Sequence, residues 1–143
     1  MVGEQMLERI SAADPSMSKV CLSLIKFGGI EAMPLEVEQC YPMMPARRWE
    51  GLWFDAFEAQ RFCPAPSRDC SYKTAGDEIW IEFKPGTRPF KRSLTGKTYA
   101  ISFIGRRTLA AGHHGHLGMS RHAIVVDRLI SVSSWAPAES PGM

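Results

Sequence analysis

Between Trp49 and Ser133 the apolar residues of this chain tend to recur at every second position. That period belongs to a strand with one buried face, not to a helix. Residues 78–84 (EIWIEFK) show it most cleanly. Ile79, Ile81 and Phe83 point one way, Trp80, Glu82 and Lys84 the other, and Pro85-Gly86 stops the run. Residues 97–107 repeat the pattern, with Tyr99, Ile101 and Phe103 on one face. Residues 122–133 place Ile124, Val126, Ile130 and Val132 together, and their β-branched content favours a strand. Residues 49–62 are dense in aromatics. Read as a strand, they put Trp49, Trp53 and Phe57 on one face and Leu52, Phe54, Ala56 and Phe62 on the other. At least four such strands with little helix must close or stack to bury their apolar faces. The economical solution is a mostly β domain, a small OB-like, partly open β-barrel.

The flanks read differently. Residues 4–13 carry Met6, Leu7 and Ile10 at helical spacing until Asp14-Pro15, which predicts a short N-terminal helix. Residues 19–27 are apolar at both alternating positions and read as a short strand or an apolar run of open type. Residues 34–45, rich in proline and methionine, read as a linker or irregular segment. The expected organisation is an N-terminal extension over 1–46, a β-barrel domain over 47–134 and a disordered tail over 135–143, with flexible termini. A chain of 143 residues suffices for one domain with its own core. Its 17 basic and 15 acidic residues leave +2, too little by itself to imply a polyanion partner. No apolar run is long enough for a membrane span. Residues 17–27 are the nearest thing to a signal peptide, but Ser23 interrupts their apolar run and Lys26 stops it. The compartment is left open.

The cysteines are Cys21, Cys40, Cys63 and Cys70, without a zinc-type or redox C-x-x-C. Cys63 and Cys70 bracket a proline-rich loop. They either close a disulfide in an oxidising compartment or stay as two buried thiols. His113, His114, His116 and His122 all fall within ten positions. A zinc site needs three or four ligands converging at about 2 Å. No carboxylate or cysteine stands beside these histidines, and adjacent His113 and His114 do not readily aim at one ion. Gly112, Gly115 and Gly118 recur at every third position, which suits a tight glycine-rich turn. The segment is therefore read as a turn, with no metal and no cofactor expected.

Other motifs are weaker. Ser120, His116 and Asp127 supply the residue types of a nucleophilic triad, but no G-x-S-x-G elbow surrounds Ser120. The TGKT of residues 95–98 lacks the upstream glycine of a phosphate loop, since Lys91 stands there, and a strand follows it instead of a helix. Glu50, Glu58 and Glu82 are candidate acid–base carboxylates, yet barrel alternation predicts that they face solvent. Arg88, Lys91, Arg92 and Lys97, interleaved with Phe90 and Tyr99, are candidate contacts for a polyanion such as single-stranded nucleic acid.

Trp53, Phe57-Glu58, Phe62 and Pro64 are followed by Gly105-Arg106, Gly112, Gly115-His116-Leu117-Gly118, then Ile124 and Val126. This order resembles a group of small, mostly uncharacterised bacterial proteins, often exported or lipid-anchored. The resemblance covers about residues 51–131. It implies an OB-like barrel, export, and no established enzymatic activity. The chain departs from the pattern where His122-Ala123 replaces a basic–acidic pair and where Gln60 replaces a small polar residue. On this reading Gly115 and Gly118 shape the corner into the last strand. His116 holds it by bonding backbone or the Glu58 carboxylate. The expected function is a non-enzymatic binding or envelope-associated accessory module. The alternatives are a single-stranded nucleic-acid-binding domain using residues 88–97 and a metal-dependent hydrolase built on the histidine loop.

Overall fold

The computed structural model of the protein describes residues 2–90 and 96–136. Two helices, α1 (Glu4–Ala13) and α2 (Lys19–Gly28), precede five strands: β1 (Arg47–Asp55), β2 (Arg61–Pro64), β3 (Ile79–Phe83), β4 (Lys97–Arg107) and β5 (His122–Ser134). The strands form one sheet in the order β2-β1-β4-β5-β3. Neighbours are antiparallel except β3 and β5, which run parallel. The two end strands, β2 and β3, approach each other without being paired. The sheet thus curls into a half-barrel, and the fold is mostly β and partly open.

The period-two reading places the inner face well for β3 and β4. Ile79, Ile81, Tyr99, Ile101 and Phe103 join Trp49, Trp53 and Phe62 in the barrel core. Ring packing is dense there: Phe62 meets Phe103 edge-on at 5.1 Å, and Trp53 lies 5.3 Å from Tyr99. Four expectations need correction. Residues 49–62 are not one strand but a β1–β2 hairpin. Phe62 therefore returns to the same interior as Trp49 and Trp53, and Phe57, in the turn, is exposed. In β5 the alternation slips at two irregularities opposite Ser102/Phe103 and Ile104/Gly105. Leu129 packs on the core in place of Ile130, which faces out. A Cβ at Gly105 would run into the Val125 carbonyl, so the close approach at this irregularity needs glycine.

The third correction is α2. Residues 19–27 fit either period because their six apolar positions fall at both alternating and helical spacings. Ser18 decides locally: its side chain accepts from the Cys21 N–H and caps a helix. Cys21 and Ile25 then share a buried side, while Val20, Leu24 and Phe27 are exposed. The fourth is the stretch 34–45. It is irregular, but Val37, Cys40 and Tyr41 are buried, and Met44 N–H donates to the Arg107 carbonyl at 2.8 Å. The N-terminal segment is held to itself by a Cys21–Cys40 disulfide. It packs with Ala123, Val125 and Trp80 on the outer face of β3 and β5. Residues 91–95 and 137–143, which include Lys91, Arg92 and most of the expected tail, lie outside the described residues. Trp135 is described, and it packs beside Leu52 and Cys63.

Replacing both Cys21 and Cys40 by serine is expected to cost about 3 kcal/mol in denaturant unfolding, from the loop-closure entropy of a bridge of this span. The emission of Trp80 should shift red as the outer face loses its cover. An unchanged unfolding midpoint would show that packing alone holds the segment.

Candidate functional site

The N-terminal segment covers the outer face of β3 incompletely. Between it and the histidine loop lies a groove of about 480 Å3. Its walls include Ile10, Ile25, Met33, Leu35 and Val37, and its polar groups are Asp14, Tyr41, Glu82, His113 and His114. Three of these are shifted from their ordinary ionisation. Burial, reinforced by the Asp14 carboxylate that accepts from its hydroxyl, pushes Tyr41 up. Burial and then the charges of Glu38 and Glu36 push the Glu82 carboxyl up to about 7, partly offset by the Val37 N–H that bonds it. Burial pushes His114 down, so its imidazole is neutral near pH 7. The His114 ring stands edge-on to Tyr41 at 4.6 Å, and its Nε2 is buried without a partner.

The other shifted groups have ordinary structural explanations. Arg106 and Asp127 raise and lower each other through a two-pronged bond of 2.9 and 2.7 Å. Burial lowers His122, whose Nδ1 sits 2.8 Å from the Thr108 hydroxyl.

The histidine loop is a small hairpin. His114 and Ser120 exchange backbone bonds of 2.7 and 2.9 Å. Gly115 has φ +70°, and a Cβ there would lie 2.6 Å from Cε3 of Trp80, so the loop backbone rests directly on the indole. Gly118 shares the left-handed backbone, at φ +67°, and borders the groove. Gly112 serves differently: a Cβ on it would lie 2.9 Å from Asp14 Oδ1 and 3.2 Å from His114 Nε2. Asp14 Oδ1 also accepts from the His113 N–H at 2.9 Å, joining the end of α1 to the loop.

On the other side of the loop is an open cleft of about 790 Å3, lined by Phe57, Glu58, Gln60, Trp80, Glu82, Arg88, Gly115 and His116. Glu82 and Gly115 border both cavities. His116 Nε2 and Glu58 Oε2 meet at 3.1 Å, spanning from the loop to the β1–β2 turn. Beside this cleft, Trp53 Nε1 donates to Gln60 Oε1 at 2.8 Å, and Gln60 Nε2 donates to Asp55 Oδ1 at 2.6 Å. Arg88 Nη2 donates to the same buried Asp55 oxygen at 3.3 Å.

The structure thus brings Glu58, His116 and Gly115 together at one cleft. It commits Arg88 to Asp55. Lys97 is exposed at the start of β4, opposite Asp55 in the ladder. Cys63 and Cys70 are bonded, so the buried-thiol alternative falls. The Arg61 guanidinium donates to the Ser71 and Thr74 carbonyls at 2.9 and 2.7 Å, and so gathers the loop after that disulfide. No Ser120–His116–Asp127 relay forms, because His116 faces Glu58 while Asp127 is held by Arg106 and Lys84. Glu50 pairs with exposed Arg48, as solvent-facing alternation predicts. Glu82 departs from that prediction, since the N-terminal segment covers it. Among the described residues, no three His, Cys, Asp or Glu side chains stand where they could share a metal ion. Asp14 and Tyr41 carry no local signal in the sequence. They enter the site only because the N-terminal segment folds back on the barrel. No protein family, curated protein or solved structure matches the chain.

Glu82 makes stability depend on pH. Its folded value of about 7 lies above the 4.5 of an ordinary glutamate. The stability tied to its proton is complete below the ordinary value and is lost as pH rises through 7. Glu82→Gln should therefore be more stable than the wild type at pH 8 by about 2 kcal/mol, and equal to it near pH 4. Parallel declines in the two proteins' unfolding midpoints between pH 5 and 7 would refute this. The Glu58–His116 pair is more than a third exposed on each side. A double-mutant cycle on unfolding should give a coupling below about 1 kcal/mol.

Proposed function

We propose that this protein is a non-enzymatic binding module, built on an OB-like half-barrel, that takes a small apolar ligand in the groove between its N-terminal segment and its histidine loop. The observation that carries this reading is the convergence of Tyr41, Glu82 and His114 on one apolar-walled groove. Shifted titratable groups cluster where a site is arranged for a partner. The groove's volume of about 480 Å3 falls within the size range of small-molecule sites. An OB-like barrel is supported by the five-strand order β2-β1-β4-β5-β3, its single parallel pair and the open seam between β2 and β3. All four cysteines are in disulfides, which favours an oxidising compartment and an envelope-associated or exported role.

The nucleic-acid reading draws less support. Glu58 and Glu82 line the open cleft around Trp80, where a polyanion would need cations. Arg88, the candidate cation in that cleft, already serves Asp55. The hydrolase reading lacks a ligand set among the described residues.

The test is titration with the neutral fluorophore N-phenyl-1-naphthylamine. Saturable enhancement at one site is expected. Met33→Asp, which puts a charge in the groove wall, should weaken it at least about tenfold, since a buried charge without a partner is costly. Glu58→Ala, across the loop, should leave it unchanged. Absence of saturable binding, or equal binding by Met33→Asp, would overturn the reading. A labelled single-stranded oligonucleotide is expected not to shift at low salt.

A further inference from the structure

We infer that the groove is selective for an amphiphile with a primary ammonium head, the head taken by Asp14, Glu82 and His114 and the tail by the apolar wall. This rests on the groove being the ligand site, and it names the ligand's chemistry. The first argument is charge. Asp14 and Glu82 both line the groove, and the ion pairs formed among the described residues include neither. The nearby cations are engaged elsewhere: Lys84 and Arg106 pair with Glu38 and Asp127. An anionic head would meet two carboxylates, with Glu36 and Glu38 close behind.

The second argument is independent of charge. His114 is only 5% exposed, it lines the groove, and its Nε2 has no hydrogen-bond partner. A buried polar atom left unpaired is costly unless something completes it. A neutral imidazole with its proton on Nδ1 offers Nε2 as an acceptor. An ammonium carries three donors and no acceptor. Two carboxylates and one imidazole lone pair are the complementary set. Asp14 Oδ1 and His114 Nε2 lie beside the same backbone position: a Cβ on Gly112 would stand 2.9 Å from the first and 3.2 Å from the second. The tail meets Ile25, Met33, Leu35 and Val37, and methionine adapts to irregular apolar shapes.

Binding is then linked to the Glu82 proton. The groups that act on Glu82 are Glu36 and Glu38 of the turn after α2 and the Val37 N–H, with Lys84, just past the end of β3, and Arg106 of β4 paired to Glu38 behind them. The titratable groups that share a cavity with it are Asp14 and Tyr41 of the N-terminal segment, His113, His114 and His116 of the loop, and Glu58 and Arg88 in the cleft. An ammonium favours the ionised carboxylate, whose pKa is raised to about 7. Affinity should therefore rise about tenfold from pH 6 to pH 8.

The experiment is calorimetric titration of the full disulfide-bonded chain with octylammonium, octan-1-ol and octanoate. Octylammonium is expected to bind at least about tenfold more tightly than octanol, because charge-assisted bonds replace neutral ones. Octanoate is expected not to bind. Asp14→Asn should weaken octylammonium about fivefold or more and leave octanol unchanged. Should Asp14→Asn fail to fold, the three-ligand comparison and the pH series on the wild-type chain decide alone. Equal affinity for octanol and octylammonium overturns the head-group inference while the groove reading stands. Failure of octylammonium, octanol and the neutral fluorophore alike overturns both.

Discussion

Ile124 and Val126 of β5 point into the barrel, and Ala123 and Val125 point away from it, yet all four are buried. A strand apolar on both faces must be covered on both. The inner cover is the ring cluster of Trp49, Trp53, Phe62 and Phe103. The outer cover is the N-terminal segment, with Cys21, Ile25, Val37 and Tyr41 laid against Val125 and Trp80. This second layer is what the candidate site depends on. Without it Glu82 would be an ordinary solvated carboxylate on an outer strand face, and Tyr41 and Asp14 would have no fixed position. The Cys21–Cys40 bridge restricts the freedom of that cover, and the Met44 bond to Arg107 ties its end to the sheet.

Period-two alternation made β3 and β4 legible with their inward residues, because neither strand is interrupted. It failed in β5 because the irregularities near Gly105 shift the face midway, and a close approach between backbones leaves no periodic trace. It ran β1 and β2 together because the turn between them, Ala56 to Gln60, lacks the Gly or Asn that usually marks a tight hairpin. Glu58 itself takes the left-handed conformation there, at φ +58°. The α2 helix was ambiguous because its apolar residues, Val20 to Leu22, Leu24, Ile25 and Phe27, fall at both alternating and helical spacings. The groove was legible only on its barrel side, through Glu82, His113, His114 and the loop glycines Gly115 and Gly118, while Glu58 and His116 meet in the neighbouring cleft. Its other half is Asp14 and Tyr41. Asp14 stands 99 residues from the His113 it contacts, a pairing no local pattern encodes.

The two cavities flanking the histidine loop differ in how their polar groups are used. In the larger cleft the chain Trp53–Gln60–Asp55–Arg88 is bonded throughout, apart from Arg88 Nε, and Glu58 and His116 satisfy each other. Networks completed internally stabilise and orient. That cleft is a framework for the β1–β2 turn. In the groove the polar groups are only partly matched. Tyr41 donates to Asp14 and Glu82 has one backbone donor, while His114 Nε2 has none.

That contrast has an energetic consequence. Covering the outer face of β3 buries apolar surface and favours folding, but it also desolvates Glu82 beside two other glutamates and strips His114 of water. Leucine at position 82 would extend the apolar face from Trp80 and bury no carboxylate. A position inside a cavity where local chemistry opposes the fold is a candidate for function over stability. The Arg106–Asp127–Lys84 cluster is the internal comparison. It too carries shifted groups near Glu38, but every charge in it has a partner, so its shifts follow from the fold alone. The groove's shifts also come from burial and neighbouring groups of the fold, but there the acceptors are left without a cation among the described residues.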